Sequence, residues 1–389
     1  MNDSLSADAE LGYPREPSAS AHARPITQSN AVTAQAGADF RIPSLDGIRA
    51  LSFMLVFLAH AGLNKLMPGG LGVTVFFFLS GYLITTLLRR ERERCGSNSL
   101  RDFYIRRAFR ILPPFYTVLA LAVAMTTLGL LPEPLRAGSL LSQLAHASNY
   151  WILFRDAHGF PAGTVVYWSL AVEEHFYLVF PALFILLQRS LPRRQGAQAG
   201  IVLGACACVL AWRLALVLLW DAPEVRTSIA TDTRIDSILF GCALALYGNP
   251  MLDAPRGSAM LWRGVLLPAG VTLLLLTMMY RAPWFRETLR YSLQGLALIP
   301  MFVVAIRFPE WGIMRHLNHP WIARLGVLSY SLYLCHQVFI VVFETRLLPG
   351  SRIVTGSLAF AASLLCAAAV ERWIERPSAR ARRALTVSG

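Results

Sequence analysis

Arg49 and His60 stand eleven positions apart in Leu45-Asp46-Gly47-Ile48-Arg49-Ala50-Leu51-Ser52-Phe53-Met54-Leu55-Val56-Phe57-Leu58-Ala59-His60, with almost nothing but apolar side chains between them. On a helix that interval is about three turns, so guanidinium and imidazole share one face, about 16 Å apart along the axis. Polar groups in so apolar a segment are costly unless they line a protein-enclosed cavity, which makes each a candidate for function. The imidazole suits proton transfer near neutral pH, and the guanidinium suits an anion. A second apolar run carries two carboxylates, Glu173 and Glu174. One of them could orient His60 as a general base, or the contact could be a structural His–Glu hydrogen bond between two helices. Arg106, Arg107 and Arg110 form a third group. Guanidiniums at i, i+1 and i+4 can present forks to one anionic ligand such as a phosphate, or can anchor a helix to anionic headgroups.

Further polar residues interrupt apolar runs: Ser80 and Tyr82 around Gly81, Trp168, Arg234 with Asp236, and Tyr330 with His336. Singly, such groups often glue membrane helices together; collectively they are expected to line a cavity. Ser80 and Tyr330 have the depth expected of oxyanion donors. Other chemistries find no support. His316 and His319 lack a supporting carboxylate and precede Pro320, so no metal site is expected. No G-x-S-x-G elbow occurs, and the single lysine, Lys65, is in no Gly-rich loop, so neither a serine esterase nor a P-loop is indicated.

The elements that must position these residues are membrane spans. Of 389 residues 55% are hydrophobic and 15% charged, with a mean hydropathy of +0.48. Ten apolar runs approach the length of a bilayer crossing: 48–64, 71–88, 112–131, 168–187, 199–220, 236–248, 262–280, 289–306, 325–344 and 353–370. The net charge of +13 sits in short loops of one parity. That is the positive-inside pattern, not a nucleic-acid surface, and it predicts an all-α polytopic bundle with both termini cytoplasmic. Arg49 then lies at the cytoplasmic end of span one, while His60 and the Glu173/Glu174 pair fall at matching depth near the other face. Residues 1–40 are expected as a disordered tail, 41–377 as one transmembrane domain, and 378–389 as a basic tail. The six cysteines read as small buried hydrophobes.

In order along the chain, several of these segments resemble the acyltransferase-3 superfamily of membrane O-acyltransferases, which includes O-antigen and other polysaccharide O-acetylases. The resemblance rests on Leu45-Asp46-Gly47-Ile48-Arg49 with His60, Phe77-Phe78-Leu79-Ser80-Gly81-Tyr82, and Arg106-Arg107-x-x-Arg110-Ile111-x-Pro113. It rests equally on Tyr167-Trp168-Ser169-Leu170-Ala171-Val172-Glu173-Glu174-His175-Phe176-Tyr177, Ser329-Tyr330-Ser331-Leu332-Tyr333-Leu334-x-His336 and Val370-Glu371-Arg372-Trp373-Ile374-Glu375-Arg376-Pro377. His175 stands where Gln is common and Cys335 where Trp is frequent, two departures expected to bear on acceptor choice. Many relatives append a soluble hydrolase-like domain, and this chain is expected to dispense with it or take it from a partner.

The resemblance implies a ten-helix bundle in the bacterial cytoplasmic membrane, with no bound cofactor. It implies transfer of an acyl group, usually acetyl, from acyl-CoA to a hydroxyl of an envelope glycan such as lipopolysaccharide, lipid-linked or not, with Arg49 and His60 essential. On that footing Arg106, Arg107 and Arg110 would hold the phosphates of acyl-CoA. The pantetheine arm, about 15–20 Å long when extended, would thread past Arg49 toward His60. His60 would deprotonate the acceptor or take the acyl group itself, with Glu174 or Glu173 orienting the ring. Two alternatives stay open: a transporter or flippase of a lipid-linked glycan, and acylation of a secondary metabolite such as a macrolide.

Overall fold

The computed structural model describes residues 42–132, 134–347 and 352–385. The expected tail over 1–40 and the last four residues of the expected basic tail lie outside the described residues. Ten helices carry the fold: α1 (Leu45–Leu58), α2 (Gly69–Cys95), α3 (Leu100–Thr127), α4 (Trp168–Ser190), α5 (Gln195–Trp220), α6 (Thr231–Leu246), α7 (Leu267–Met279), α8 (Leu289–Arg307), α9 (Pro320–Val342) and α10 (Arg352–Val370). Nine of the ten expected spans coincide with helices long and apolar enough to cross a membrane among the described residues. The exception is the sixth. At 16 residues, α6 is shorter than a bilayer crossing requires, and every residue from Asp236 to Leu246 is buried. It survives inside the bundle because its neighbours, not lipid, surround it.

The α2/α6 crossing explains one of the sequence interruptions. A Cβ added to Gly81 would lie 1.9 Å from the carbonyl oxygen of Ile238, and one added to Gly241 would lie 2.0 Å from that of Phe78. Two glycines on facing helices therefore let the backbones touch, as small residues do between membrane helices. Packing runs from α10 through α9, α1 and α2 to α6, which also meets α5 and α8; α7 lies on α8. α4 packs on α2 and α6. Span one thus has α9 and α2 as its main partners, so the residue facing His60 comes from α9 and not from span four. Residues 378–385 of the expected basic tail belong to a helix, Arg376–Leu385, that packs against α3.

Charged residues in the bundle are mostly paired. Arg213 and Asp236 are both fully buried and lie 2.6 Å apart. Arg89 meets Asp253 at 2.7 Å, and Arg106 meets Glu91 at 3.0 Å. Asp46, in the first turn of α1 where the helix dipole favours a carboxylate, pairs with Arg49 at 3.0 Å. At its other end α1 breaks. The chain continues in a π-helical turn, Ala59–Leu63, and Gly62 takes φ 95°, a left-handed value that suits glycine and stops the helix two residues after His60.

Candidate active site

His60 is held by an unexpected partner. Its Nδ1 lies 2.9 Å from Nε2 of His336, and the two rings stack with centroids 5.2 Å apart. His336 is fully buried in α9, and its own Nδ1 lies 2.7 Å from the carbonyl oxygen of Tyr333. A carbonyl only accepts, so His336 carries its proton on Nδ1 and offers Nε2 as an acceptor. His60 must then donate from Nδ1, which leaves its Nε2 as a bare lone pair. That nitrogen belongs to an exposed side chain lining a cavity of about 910 Å³. Two hydrogen bonds, one of them fully buried, thus fix both the tautomer and the ring orientation of the His60 imidazole.

A second cavity, of about 110 Å³, lies toward the opposite end of α1. Arg49, Arg107 and Arg110 line it, with Glu173, Glu174 and Tyr177 of α4 and α2's Ser80. Ser80 donates to Glu173 Oε1 at 3.0 Å, and Tyr177 donates to Glu173 Oε2 at 2.9 Å. The guanidinium of Arg107 sits 4.9 Å from the centre of the Tyr177 ring. This is an arginine-rich chamber with one carboxylate fixed by two hydroxyls. The cavities share two lining residues, Val73 and Tyr333. The Tyr333 hydroxyl is itself tied to Ser169 Oγ at 2.7 Å and to the Val166 carbonyl at 3.1 Å. A tethered aromatic ring therefore stands in the wall common to both spaces.

The expected site residues sort accordingly. His60, Trp168 and Arg234 line the large cavity; Arg49, Arg107, Arg110, Ser80, Glu173, Glu174 and Tyr330 line the small one. The expected contact between His60 and the Glu173/Glu174 pair is replaced by the His60–His336 contact, because α1 packs mainly on α9 and α2, whereas α4 packs on α2 and α6. Ser80 and Tyr330 do not stand ready as oxyanion donors: the first donates to Glu173, and the second donates to the Ile111 carbonyl at 3.0 Å. Tyr82 lines neither cavity; it is buried and donates to Asn249 at 3.0 Å. Asp236 is occupied by Arg213 and by Ser292 at 2.8 Å, and Arg106 faces Glu91 outside the lining. Neither His175 nor Cys335 reaches either cavity.

Some participants had no role assigned from the sequence. Tyr333 sits one helical turn before His336, a spacing that places both on one face of α9. Arg290 and Tyr291, which open α8, line the large cavity. An arginine beside an aromatic at the mouth of an apolar run was the available signal.

Comparison with known proteins gives the site a context. Residues 42–372 match the family model of an acyltransferase domain. The peptidoglycan O-acetyltransferase OatA of Listeria monocytogenes is 30% identical over 352 residues, covering 86% of this chain and 55% of the relative. A Staphylococcus aureus (strain COL) protein provisionally named an O-acetyltransferase is 28% identical over 306 residues, 76% of this chain and 50% of its own. YrhL of Bacillus subtilis, provisionally named a peptidoglycan O-acetyltransferase, is 34% identical over 214 residues, 53% of this chain and 33% of its own. The chain spans about half the length of the first two of these relatives. No solved structure matches this chain.

Proposed function

Because the chain belongs to the acyltransferase-3 family, we propose that it moves an acetyl group from acetyl-CoA, held at the arginine-rich cavity, to a hydroxyl of a cell-wall glycan held in the large cavity. The observation that carries this reading is the lone pair left on His60 Nε2 by the contact with His336, on a side chain that lines a space large enough for a sugar. In the step itself the acceptor oxygen attacks the thioester carbonyl as His60 Nε2 takes its proton. The new C–O bond forms, the C–S bond breaks, and the coenzyme thiolate leaves to be protonated by the imidazolium. Arg49, Arg107 and Arg110 supply fixed positive charge for the coenzyme phosphates. The basic ends of α2 and α3 would face the cytoplasm in a bacterial inner membrane, following the positive-inside rule.

Membranes carrying the wild-type chain and supplied with radiolabelled acetyl-CoA should label the glycan fraction. His60→Ala should insert to the same level and transfer none. Undiminished labelling by that variant would overturn the proposal.

A further inference from the structure

The large cavity carries more positive charge than its walls neutralise. Lys65, Arg234, Arg281, Arg286 and Arg290 line it against a single lining carboxylate, Glu224, which pairs with Arg286 at 3.2 Å. Arg234 and Arg290 are the informative two. Arg234 is only 2% exposed; it donates to the Ser228 carbonyl at 2.9 Å and to Thr74 Oγ1 at 3.2 Å, and its buried Nε has no partner. The Nε of Arg290 is likewise buried and unpartnered, while its terminal nitrogen donates to the Tyr291 hydroxyl at 3.0 Å. Both guanidiniums lie over the same Tyr291 ring, 3.9 and 4.9 Å from its centroid.

Neither makes an ion pair with a carboxylate among the described residues. Asp236, the acid in the helix of Arg234, is occupied by Arg213, whose guanidinium also meets Tyr291 at 5.4 Å. Glu287 is near enough to act on Arg290 but does not line the cavity. Two cations held against one ring in apolar surroundings repel each other and carry a desolvation cost that backbone carbonyls and a π-face only partly offset. An anion bridging them would offset the remainder, and their free N–H groups are the donors it would use.

We propose that Arg234 and Arg290 bind an oxyanion carried by the acyl acceptor itself, a carboxylate or a phosphate borne beside the hydroxyl that is acylated. The ligand's role as acceptor rests on the acyl-transfer reading of His60; its charge rests on the two arginines alone. Trp168, which also lines this cavity and lies 5.9 Å from the Arg234 guanidinium, offers a flat face for the sugar ring next to the charge. The acceptor is therefore an acidic or phosphorylated glycan unit.

The test is binding to the full chain in nanodiscs of neutral phosphatidylcholine, without donor. Melting temperature is followed against inorganic pyrophosphate, N-acetylmuramic acid and, as the uncharged comparison, N-acetylglucosamine. A saturable rise with pyrophosphate that Arg290→Gln weakens assigns a phosphate, a rise with the acidic sugar that it weakens assigns a carboxylate, and either supports the site. Arg290→Gln, at the half-buried position, should weaken the anion at least ten-fold. Arg234→Lys, which keeps the charge and loses the fork, should retain it more weakly. No anion effect, an equal effect of N-acetylglucosamine, or undiminished anion binding in Arg290→Gln would overturn the inference. Anion binding with no acetyl transfer under any condition would instead count against the acyl-transfer reading.

Discussion

His336 holds His60 through one hydrogen bond of 2.9 Å, and the opposite nitrogen of His336 is committed to a backbone carbonyl one turn back in its own helix. The pair therefore has one proton arrangement, and on the proposed reading the nitrogen of His60 that takes the proton is set by a residue that lines neither cavity. His336 is a positioning residue. His336→Leu removes the acceptor and should lower kcat by about ten-fold or more, part of the roughly 10²–10⁴ that a positioned base contributes, with the donor KM unchanged. His336→Gln, whose amide oxygen can accept in place of Nε2, should recover part of the loss. A purely structural role would instead reduce the amount of folded protein in both variants alike.

The arginine cluster divides by position. Arg107 and Arg110 line the small cavity, and Arg106 faces Glu91 outside it. Arg107→Ala and Arg110→Ala should each raise KM for acetyl-CoA about ten-fold, the cost of losing one charge-assisted hydrogen bond. Arg106→Ala should leave KM near the wild-type value. Steady-state kinetics in proteoliposomes separates the three.

Gly81→Ala places a methyl group where the Ile238 carbonyl already stands. Overpacking of this kind costs about 1–3 kcal/mol or more. The variant should melt at a lower temperature in detergent, and Gly241→Ala, against the Phe78 carbonyl, should do the same. An unchanged melting temperature in both would contradict the close α2/α6 crossing.

Asp236→Asn strips the counter-charge from a fully buried arginine, which should cost about 3–5 kcal/mol. Arg213→Met combined with Asp236→Leu removes both charges and should be less destabilised than the single variant. Fluorescence-detected size-exclusion after heating reads the order directly.

Asp253 lies in the loop after α6, outside the membrane-spanning helices. Burial pushes its carboxyl up, but hydrogen bonds and charge from Arg89, with the amides of Asn249 and Gly248, outweigh burial and hold it below the ordinary 3.8. A carboxyl depressed in the folded state stabilises the fold above its unfolded value, and that contribution is lost as pH falls through the folded one. The melting temperatures of wild type and Asp253→Asn should stay a constant interval apart from neutrality to about pH 5. They should converge as pH drops below 3.8. A gap undiminished at the acid end would refute the pairing with Arg89.

Helices and motif residues were legible in the sequence because hydropathy at this length has few solutions and the motifs sit in its interruptions. Partners were not. Depth along a span says how far a residue lies from a membrane face but not which neighbouring helix it meets, so His60 and the Glu173/Glu174 pair agreed in depth yet lie on helices with different main partners. Hydropathy likewise marked α6 as short without showing that α2, α5 and α8 enclose it. Polar residues on α6 and α9 looked alike in the sequence. Only packing separates Asp236, closed off with Arg213, from Arg234, open to the cavity.

The wall at Val73 and Tyr333 has an electrical consequence. A living membrane holds a voltage, and moving one elementary charge across 100 mV is worth about 2.3 kcal/mol, so a continuous wet path between its faces would leak ions and protons. The small cavity lies toward the Arg49 end of α1 and the large one at its His60 end, and the Tyr333 ring, moored to Ser169 and Val166, stands in the wall they share. On the proposed reading only a small uncharged acyl group has to pass that wall, and such a cargo carries no current.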